Sequence, residues 1–504
     1  MKLNKRIEKT TEYILVKLKD KNLSNFLVNT IIDIFIFIYI RSRFHYLNGE
    51  IPFWYTKIWG DAQLAPKFNL YLIPLVAMAI NVVALLFTLL NKYYLRYLED
   101  ILWYCVLFSN IFLAGSVLRI IRISSVPFSP FINPLYVKLL GPMSFSLIFM
   151  LITMPYFIDF AKKKKIITNP QVHSHPGMIL RAPSARGGGL LYSVILMISG
   201  IIFIGFDKHF SGLYISLIMT SVLSFVDDYQ NTHPKSSYRF LENPVLRLFL
   251  LFVSVIPVVL SGVMIHTVSN PFGGFVKLNV FEINILNNSV PLIPLLVTSL
   301  WIVWLMNVLS WSNGVDGQFP GIVGIASLLI SLLALRFDEL TDFHHKIAVF
   351  SAISAGAAFG SVKYNWHPSK IMWGFGAMSA GLVIASLAIL AQAKIAVSVL
   401  ILLIPFLDAL FTVGRRVLHG KNPFKGDRGH LHHLLLDRGW SVSRVAVFYW
   451  LATALFGLVG LFSPEKIVLK LTFLIMGVVA FGLIILNISL NARKKETPPT
   501  VLYK

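Results

Sequence analysis

Long apolar runs recur along the whole chain, and they restrict its fold more than any other feature. Most contain roughly 17–25 residues, so each is long enough for a helix to cross a hydrocarbon core about 30 Å thick. Only 13% of the 504 residues are charged, about half the share that is typical of a soluble protein. The chain is therefore predicted to be an all-α polytopic membrane protein with about 14 transmembrane helices. The predicted spans lie near residues 24–40, 70–91, 100–118, 142–161, 188–206, 212–226, 245–265, 291–309, 319–335, 346–362, 371–391, 394–413, 445–463 and 467–489.

Basic residues are distributed unevenly between the loops that join these spans. If the N-terminus is inside, the Lys- and Arg-rich segments 2–21, 162–165, 235–247, 415–444 and 493–495 all fall on the cytoplasmic side. The positive-inside rule then predicts a multi-pass protein of the inner or plasma membrane with both termini in the cytoplasm. Nucleic-acid binding is an alternative explanation for the net charge of +22. We disfavour that partner because the sequence contains no soluble basic domain.

The predicted spans divide the chain into three parts. Residues 1–141 form an N-terminal extension with about three spans and no obvious chemistry. Residues 142–490 form a core with 11 spans, and residues 491–504 form a cytoplasmic tail. The first boundary is set by prolines that interrupt the apolar pattern between residues 125 and 141. The outer loop 267–290 alternates apolar and polar residues, which predicts a small periplasmic hairpin.

Two adjacent carboxylates, Asp227 and Asp228, end a predicted span on the cytoplasmic side. Adjacent carboxylates repel each other, and near lipid they also lose hydration energy. A divalent cation removes both penalties, and Mg²⁺ prefers one or two carboxylates plus substrate phosphates. A solvated helix end, at which both carboxylates face water, is the alternative that this pair alone leaves open.

A second polar segment, residues 307–318, ends another span on the same side. Asn307, Ser310 and Asn313 recur every three residues and therefore share one helix face. Asp316 follows between two glycines, which allow a ligand to approach the backbone closely. A simple polar turn explains this segment less well, because a polar stripe that runs into the bilayer is costly.

A third segment is a basic loop with three histidines. Clustered Arg and His side chains suit phosphate binding. Zinc is the alternative because His clusters bind it, although no Cys is near and the basic neighbours repel a metal ion. The candidate substrate-binding residues of this loop are Arg416, Asp427, Arg428, His430, His432 and His433.

A fourth segment carries His173, His175 and Arg186 and leads into three glycines, residues 187–189. A glycine-rich helix start can present backbone N–H groups to phosphate, although this signal is weak by itself. All four polar segments fall on one predicted face of the membrane. That agreement carries weight because the topology was assigned from Lys and Arg alone.

Together these segments resemble the polyprenyl-phosphate N-acetylhexosamine-1-phosphate transferase family, which includes the phospho-N-acetylmuramoyl-pentapeptide transferase of peptidoglycan synthesis. The resemblance covers about residues 142–490, and the last motif, Asp-Arg-x-His-x-His-His, is highly specific. It is similar to the branch that uses simple N-acetylhexosamine nucleotides, such as the UDP-GlcNAc:undecaprenyl-phosphate GlcNAc-1-phosphate transferases. In the family's order, the motifs lie at 183–188, 227–228, 307–317 and 427–433.

The resemblance implies a reaction, a cofactor and a site. HexNAc-1-phosphate would pass from a UDP-sugar to undecaprenyl phosphate with release of UMP, as the first membrane step of cell-envelope polysaccharide synthesis. Mg²⁺, with Mn²⁺ as an alternative ion, would bind Asp227, Asp228 and Asp316. These are also the candidate catalytic residues, and their carboxylates are expected to converge. Arg186, Asn307 and Asn313 would join the histidine loop in binding substrates. The oligomeric state is left open, a homodimer included.

Departures from the family pattern leave alternatives. The family's second Asn is Ser310 here, and the Asp that usually precedes Gly-x-Asp-Gly is Asn313. A further family acid that holds the metal is replaced by Phe375. A catalytically inactive membrane scaffold of the same fold is therefore one alternative. A transporter is another, which we disfavour because the polar groups cluster at one face instead of the midplane.

Overall fold

The computed structural model describes residues 21–496 except 56, 58–59, 91–95, 126–133, 170–182, 234–238, 271–273, 286–287, 337–339, 393–394, 421–427 and 465–466. The chain divides into two compact units, Met1–Val137 (unit 1) and Lys138–Lys504 (unit 2). This division lies close to the sequence-based boundary between residues 141 and 142. That boundary rests on the distribution of motifs, and as a functional division it stays a prediction.

Unit 1 contains three long helices, α1 (Lys21–Arg43), α2 (Leu72–Leu90) and α3 (Arg96–Ser124), and each packs against the other two. Their contact surfaces are mainly aliphatic, as the buried side chains of Ile40 and Ile121 illustrate. A two-stranded antiparallel hairpin, β1 (Glu50–Pro52) with β2 (Leu64–Pro66), lies between α1 and α2. Short 3-10 helices occur at Phe44–Tyr46, Asp61–Gln63 and Lys67–Tyr71.

Unit 2 begins within helix α4 and is almost entirely helical. Its helices are α4 (Pro134–Lys163), α5 (Gly188–Phe203), α6 (Lys208–Thr232), α7 (Pro244–Leu260), α8 (Leu292–Trp311), α9 (Gln318–Ala334), α10 (Asp342–Asn365), α11 (Ala377–Leu390), α12 (Ile395–Ile401), α13 (Leu403–Leu418), α14 (Leu431–Asp437), α15 (Val442–Phe462) and α16 (Val468–Glu496). Two 3-10 helices, Phe240–Glu242 and Gly374–Gly376, precede α7 and α11.

The core of unit 2 forms around α9 and α11, which are buried along almost their whole length. Helix α9 packs against α10 and α15, and α11 packs against α8. A Cβ atom added to Gly381 of α11 would lie 2.5 Å from Cα of Met306 in α8, so these two backbones touch. Small residues allow such close approach of helices in membranes. This contact fixes the end of α8 relative to the Gly374–Gly376 turn, and both contribute to the site described below.

The predicted all-α membrane architecture is confirmed. Eight helices of the described residues are long and apolar enough to cross a membrane, and α12 with α13 makes a ninth candidate that is bent by 92°. Helix α16 begins with the apolar segment Val468–Ile484 and continues to Glu496, and four more apolar helices have only 10–17 residues. Since 17 residues rise about 26 Å, these fall short of a hydrocarbon core about 30 Å thick. Each of the fourteen predicted spans overlaps one of these helices, but not all of them meet the length for crossing.

The loop 267–290 differs from the prediction of one small hairpin. It forms two antiparallel hairpins, β5 (Thr267–Ser269) with β6 (Phe275–Lys277), and β7 (Glu282–Ile285) with β8 (Asn288–Pro291). A tight turn separates them, in which the N–H of Val280 donates to the carbonyl of Leu278 at 2.8 Å. The alternation of apolar and polar residues continues through this turn, so the sequence pattern concealed it. One further short pair, β3 (Ile167–Thr168) with β4 (Ser184–Ala185), lies before α5.

Candidate active site

Helix α6 brings the predicted carboxylate pair to one end of unit 2, which we call the site end. Asp227 and Asp228 lie in the last turns of α6 and are only 4% and 1% exposed. Consecutive side chains of a helix point about 100° apart, so the two carboxylates reach different neighbours. Two buried carboxylates need compensating charges or hydrogen bonds, and the structure supplies both from other segments.

Asp228 is held by the turn that precedes α11. Its Oδ1 accepts a hydrogen bond from the N–H of Phe375 at 3.0 Å and lies 3.5 Å from Nη1 of Arg186. Gly374 has φ +64°, and a Cβ atom added to it would lie 2.2 Å from Oδ2 of Asp228. Both the backbone conformation and the contact therefore require glycine at this position. The Gly374–Gly376 turn wraps around the carboxylate.

Asp227 faces α7 and its own helix. Its Oδ2 accepts from Nδ2 of Asn231 at 2.7 Å, and its Oδ1 lies 3.9 Å from Nη1 of Arg247. The Arg247 guanidinium also lies over the ring of Phe375, 5.4 Å from the ring centroid. The pair of carboxylates is thus compensated by two arginines, Arg186 and Arg247, which come from different segments of unit 2.

The glycine-rich segment before α5 has a different role from the predicted one. The N–H of Gly188 donates to the carbonyl of Met372 at 3.0 Å, and the N–H of Gly189 donates to the carbonyl of Trp373 at 3.2 Å. A Cβ atom added to Gly189 would lie 2.4 Å from the backbone of Gly376. These amides therefore join two backbones and are not available to phosphate. Of the segment's other candidates, Arg186 reaches Asp228, whereas His173 and His175 lie outside the described residues.

The asparagine-rich end of α8 contacts the same turn and the histidine loop. Nδ2 of Asn313 donates to the carbonyl of Gly374 at 3.1 Å. A Cβ atom added to Gly314 would lie 2.2 Å from Nε2 of His432, so the imidazole packs directly on this backbone. Asn307 instead donates to the carbonyl of Val303 in its own helix at 2.8 Å. Segments that are distant in the sequence thus meet at the site end, as the motifs predicted.

Asp316 does not join the other two carboxylates in one ligand group. Its Oδ2 faces Nδ1 of His367 at 2.8 Å and accepts from the N–H of Ser369 at 3.2 Å. The described residues contain no group of three or more His, Cys, Asp or Glu side chains that could hold a metal ion. The expected convergence of Asp227, Asp228 and Asp316 is therefore wrong for this arrangement. The Asp316 carboxylate bonds instead to the segment beyond α10.

The three histidines form a buried cluster on a carboxylate that the sequence analysis did not select. Asp408 of α13 faces Nδ1 of His430 at 3.0 Å and accepts from the N–H of Leu431 at 2.7 Å. The rings of His430 and His432 stack at 5.5 Å, and those of His432 and His433 lie 4.3 Å apart. The three residues are between 1% and 7% exposed. Asp408 thus fixes both the start of α14 and the orientation of its first imidazole.

Two of these imidazoles are neutral at physiological pH. Burial, followed by the charges of neighbouring basic groups, lowers the pKa of His432 well below 6.5 and that of His433 to about 4. Nδ1 of each has no hydrogen-bond partner among the described residues. A neutral imidazole can donate one hydrogen bond and accept another. These two histidines are therefore suited to hydrogen bonding, and not to attracting phosphate by charge.

The arginines of the loop supply the positive charge. Arg416 at the end of α13 is 3% exposed. Arg428 forms an ion pair with Asp437 at 2.9 Å, so α14 holds it in place. Asp427, the remaining predicted residue of this loop, lies outside the described residues.

Sequence reasoning missed three contributors to the site. Asp408 lies inside an apolar run, and an ionisable residue in a span is a functional candidate by default, so this signal was available. Arg247 was used only to orient the chain. His367 follows α10 without a recognisable motif, and only the fold places it against Asp316.

If a magnesium ion binds at the site end, Asp227 and Asp228 are the two carboxylates that would hold it. Mg²⁺ keeps several waters and is often bound by one or two carboxylates together with substrate phosphates. Asp227 and Asp228 provide that number, and the nearby arginines can pair with phosphate oxygens. The resemblance places Phe375 where the family has a further acid, and the backbone N–H of Phe375 contacts Asp228 directly. The Phe375 ring lies beside the Arg247 guanidinium, which faces Asp227, so a side chain at position 375 is near the carboxylate pair.

One family model matches part of the chain. The family model described as glycosyl transferase family 4 matches residues 210–392. This segment contains Asp227, Asp228, Asn313, Asp316 and Phe375. Residues 210–392 therefore match a glycosyl transferase family 4 domain, and the resemblance seen in the sequence is confirmed for this segment.

Curated relatives include both branches of the resemblance. Phospho-N-acetylmuramoyl-pentapeptide-transferase of Caldanaerobacter subterraneus subsp. tengcongensis is 24% identical over 312 residues, 61% of this chain and 93% of the relative. A probable undecaprenyl-phosphate N-acetylglucosaminyl 1-phosphate transferase of Bacillus subtilis is 27% identical, over 41% of this chain and 59% of the relative. Decaprenyl-phosphate N-acetylglucosaminephosphotransferase of Mycobacterium tuberculosis is 30% identical, over 32% of this chain and 46% of the relative. The predicted enzyme class, a phospho-sugar transferase, is confirmed, while the choice of branch stays a prediction.

Proposed function

We propose that this chain transfers an N-acetylhexosamine-1-phosphate from a UDP-sugar to undecaprenyl phosphate or a similar polyprenyl phosphate. An oxygen of the lipid phosphate attacks the β-phosphorus of the nucleotide. The bond from that phosphorus to the oxygen bridging the two phosphates breaks, and UMP leaves. The product is a polyprenyl-diphospho-sugar, the starting lipid of a cell-envelope polysaccharide.

One observation carries the proposal: a continuous chain of contacts joins the family's motifs at the site end. The Gly374–Gly376 turn binds Asp228 and accepts a hydrogen bond from Asn313. The residue after Asn313, Gly314, lies against His432. The carboxylates of α6, the arginines before α5 and in α7, and the neutral imidazoles of α14 are thus brought together. This is the set of groups that phosphoryl transfer needs for positioning and for charge stabilisation.

Each part has a role that follows from its chemistry. Asp227 and Asp228 would hold Mg²⁺, which supplies positive charge to the pyrophosphate of the nucleotide. Arg186 and Arg247 already lie beside this pair and can bind phosphate oxygens that arrive with the substrates. His432 and His433 are neutral, so they can donate hydrogen bonds to the phosphates without requiring a pH change. Asp316 positions the segment around His367.

The membrane supports the choice of acceptor. The residues of the site end lie at the termini of apolar helices, where a lipid phosphate and a soluble nucleotide can meet. The basic segments of the chain fall on this same side under the positive-inside rule, which supports a cytoplasmic site. UDP-sugars are cytoplasmic compounds, so the two arguments agree.

The test is release of UMP by the purified full chain in detergent, with undecaprenyl phosphate, Mg²⁺ and a panel of UDP-sugars. Asp228→Asn is expected to reduce the rate by at least ~100-fold, since it removes the charge that faces Arg186 and the metal. Asp207→Asn is the matched control. Asp207 caps the other end of the same helix by accepting from the N–H of Phe210, and Asn caps helices equally well. If Asp228→Asn releases UMP as fast as wild type, the proposal is contradicted.

The side chain of Phe375 favours one alternative, a catalytically inactive scaffold of the same fold. It offers no oxygen ligand at a position that touches Asp228. The two possibilities are separated by comparing wild type with Phe375→Asp in the same assay. The scaffold is favoured if wild type turns over no UDP-sugar and the variant does.

A further inference from the structure

A second buried polar cluster lies in unit 1, and the transferase chemistry does not use it. Asn29 and Asp33 of α1, Asn81 of α2 and Asn110 of α3 are each at most 2% exposed. Nδ2 of Asn110 donates to Oδ1 of Asn29 at 3.1 Å and to Oδ1 of Asn81 at 3.0 Å. Nδ2 of Asn81 donates to Oδ2 of Asp33. The cluster therefore links all three long helices of the unit.

The cluster lies deep in the span region. Asp33 is nine residues from the start of the apolar segment Ser24–Tyr46, and Asn110 is nine residues from the start of Ile101–Ser124. At 1.5 Å per residue this is about 14 Å, close to the middle of a hydrocarbon core about 30 Å thick. An ionisable residue at this depth is costly and is rarely kept without a function.

The hydrogen bonds of the cluster leave oxygen atoms without donors. Every side-chain amide nitrogen of the three asparagines donates, since Nδ2 of Asn29 bonds to the carbonyl of Asn25 at 2.9 Å. Oδ1 of Asp33, Oδ1 of Asn110 and Oγ1 of Thr30 have no partner among the described residues. Buried acceptors of this kind are normally satisfied. The unmatched atoms are all oxygens, which are the ligands of alkali and alkaline-earth cations.

The charge of the cluster selects the kind of cation. Asp33 forms no ion pair with any Lys, Arg or His that the structure describes, so its carboxylate needs a positive charge from elsewhere. A monovalent ion balances one carboxylate. A divalent ion would leave an uncompensated charge in the hydrocarbon layer. Hydrogen bonding between the helices alone does not explain Asp33, because an asparagine would serve as well.

We propose that this cluster binds one monovalent metal cation, with Asp33 as its counter-charge and the oxygens of Asp33, Asn110 and Thr30 among its ligands. The ion joins α1 to α3 and completes the polar network of unit 1. Because it binds the folded unit, it also stabilises that unit by mass action. The proposal stands independently of the transferase activity, since all its residues belong to unit 1.

The test uses the purified full chain and dicyclohexylcarbodiimide, which modifies protonated carboxyl groups in apolar surroundings. Peptide mass spectrometry measures the labelling of Asp33 as NaCl replaces N-methyl-D-glucamine chloride. The pH and the ionic strength are held constant. Bound Na⁺ blocks the reaction, so the rate is expected to fall by about tenfold when Na⁺ reaches ten times its Kd. Asp159, an exposed carboxyl group of α4, is the internal reference. Labelling of Asp33 that responds to pH but not to Na⁺, Li⁺ or K⁺ overturns the proposal in favour of a bound proton.

Variants keep the test decisive if Asp33 reacts poorly. The thermal unfolding midpoint is expected to rise with Na⁺ in wild type and in Ser116→Ala, a partly exposed position of α3 outside the cluster. The rise is expected to vanish in Asp33→Asn. Thr30→Val removes one proposed ligand oxygen at nearly constant volume. In this variant, the Na⁺ concentration that gives half of the rise in unfolding midpoint is expected to increase several-fold. A Na⁺ effect that is equal in wild type and Asp33→Asn contradicts the site.

Discussion

Replacement of Gly374 by alanine isolates the contact on which the site depends. Gly374 has φ +64°, and the new Cβ atom would lie 2.2 Å from Oδ2 of Asp228, where ordinary contacts begin at 3.4 Å. The carboxylate or the turn must therefore move by about 1 Å. A displacement of that size can reduce a rate by roughly 100-fold, which corresponds to about 2.7 kcal/mol of activation free energy.

The same substitution also strains the backbone, so a matched control is needed. The left-handed conformation costs an L-residue roughly 1–2 kcal/mol. Gly205 has φ +78° with no atom within 4 Å of an added Cβ, and it lies between α5 and α6 at the other end of unit 2. Gly205→Ala thus introduces the strain without the contact.

The assay is the initial rate of UMP release, with thermal unfolding measured in parallel. Both variants are expected to lower the unfolding midpoint, Gly374→Ala by the larger amount because it adds the contact with Asp228 to the backbone strain. Only Gly374→Ala is expected to lose activity by about 100-fold, while Gly205→Ala stays within about twofold of wild type. If the two variants lose the same fraction of activity, the Gly374 contact with Asp228 does not organise the site.

Three further predictions concern the histidine cluster and the metal. Asp408→Asn is expected to reduce activity roughly 10- to 100-fold, measured as UMP release, because it disturbs the orientation of His430; unchanged activity contradicts that role. The pKa of His433 in the folded chain is about 4, below its ordinary 6.5. Between pH 4 and pH 6.5, the unfolded chain therefore binds more protons than the folded chain. Stability relative to a His433→Gln variant is therefore full above pH 6.5 and falls by about 3 kcal/mol as the pH drops to 4, which unfolding measured at several pH values checks. Phe375→Asp adds a carboxylate beside Asp228 and is expected to tighten Mg²⁺ binding in a direct titration; equal affinity argues that position 375 faces away from the ion.

The helices were the part of the fold that the sequence predicted well. Apolar length is set by the bilayer, so each run near the predicted positions forms a helix regardless of its tertiary neighbours. The bend of 92° between α12 and α13 and the double hairpin in the loop 267–290 depend on tertiary contacts and short turns. The apolar periodicity of the sequence predicts neither the bend nor the second hairpin.

The sequence predicted that several motif residues lie close together, and it did not predict their hydrogen-bond partners. The motifs correctly brought Asp228, Asn313 and His432 to one end of unit 2, because each ends a span on the same side. They could not show that the Gly188 amide bonds to a backbone carbonyl or that Asp316 turns toward His367. Such partners come from segments distant in the sequence.

Unit 1 shows what a search for motifs overlooks. The members of its buried polar cluster occur singly within apolar helices, one or two in each, and so no local pattern draws attention to them. Only packing of the three helices makes a cluster of Asn29, Asp33, Asn81 and Asn110. A single acid in an apolar run, such as Asp33 or Asp408, was the available signal in both units.

The central claim is that the phosphate attached to the sugar moves with it to the lipid. The direct measurement uses UDP-N-acetylglucosamine labelled with ³²P at the β-phosphate, incubated with the purified chain, Mg²⁺ and undecaprenyl phosphate, followed by extraction of the lipid. The transferase proposed here carries the label into the lipid fraction and leaves unlabelled UMP in the aqueous fraction, with Asp207→Asn active and Asp228→Asn inactive. Label that remains in water as UDP while sugar enters the lipid, or no transfer from any UDP-sugar tried in the same way, contradicts the account.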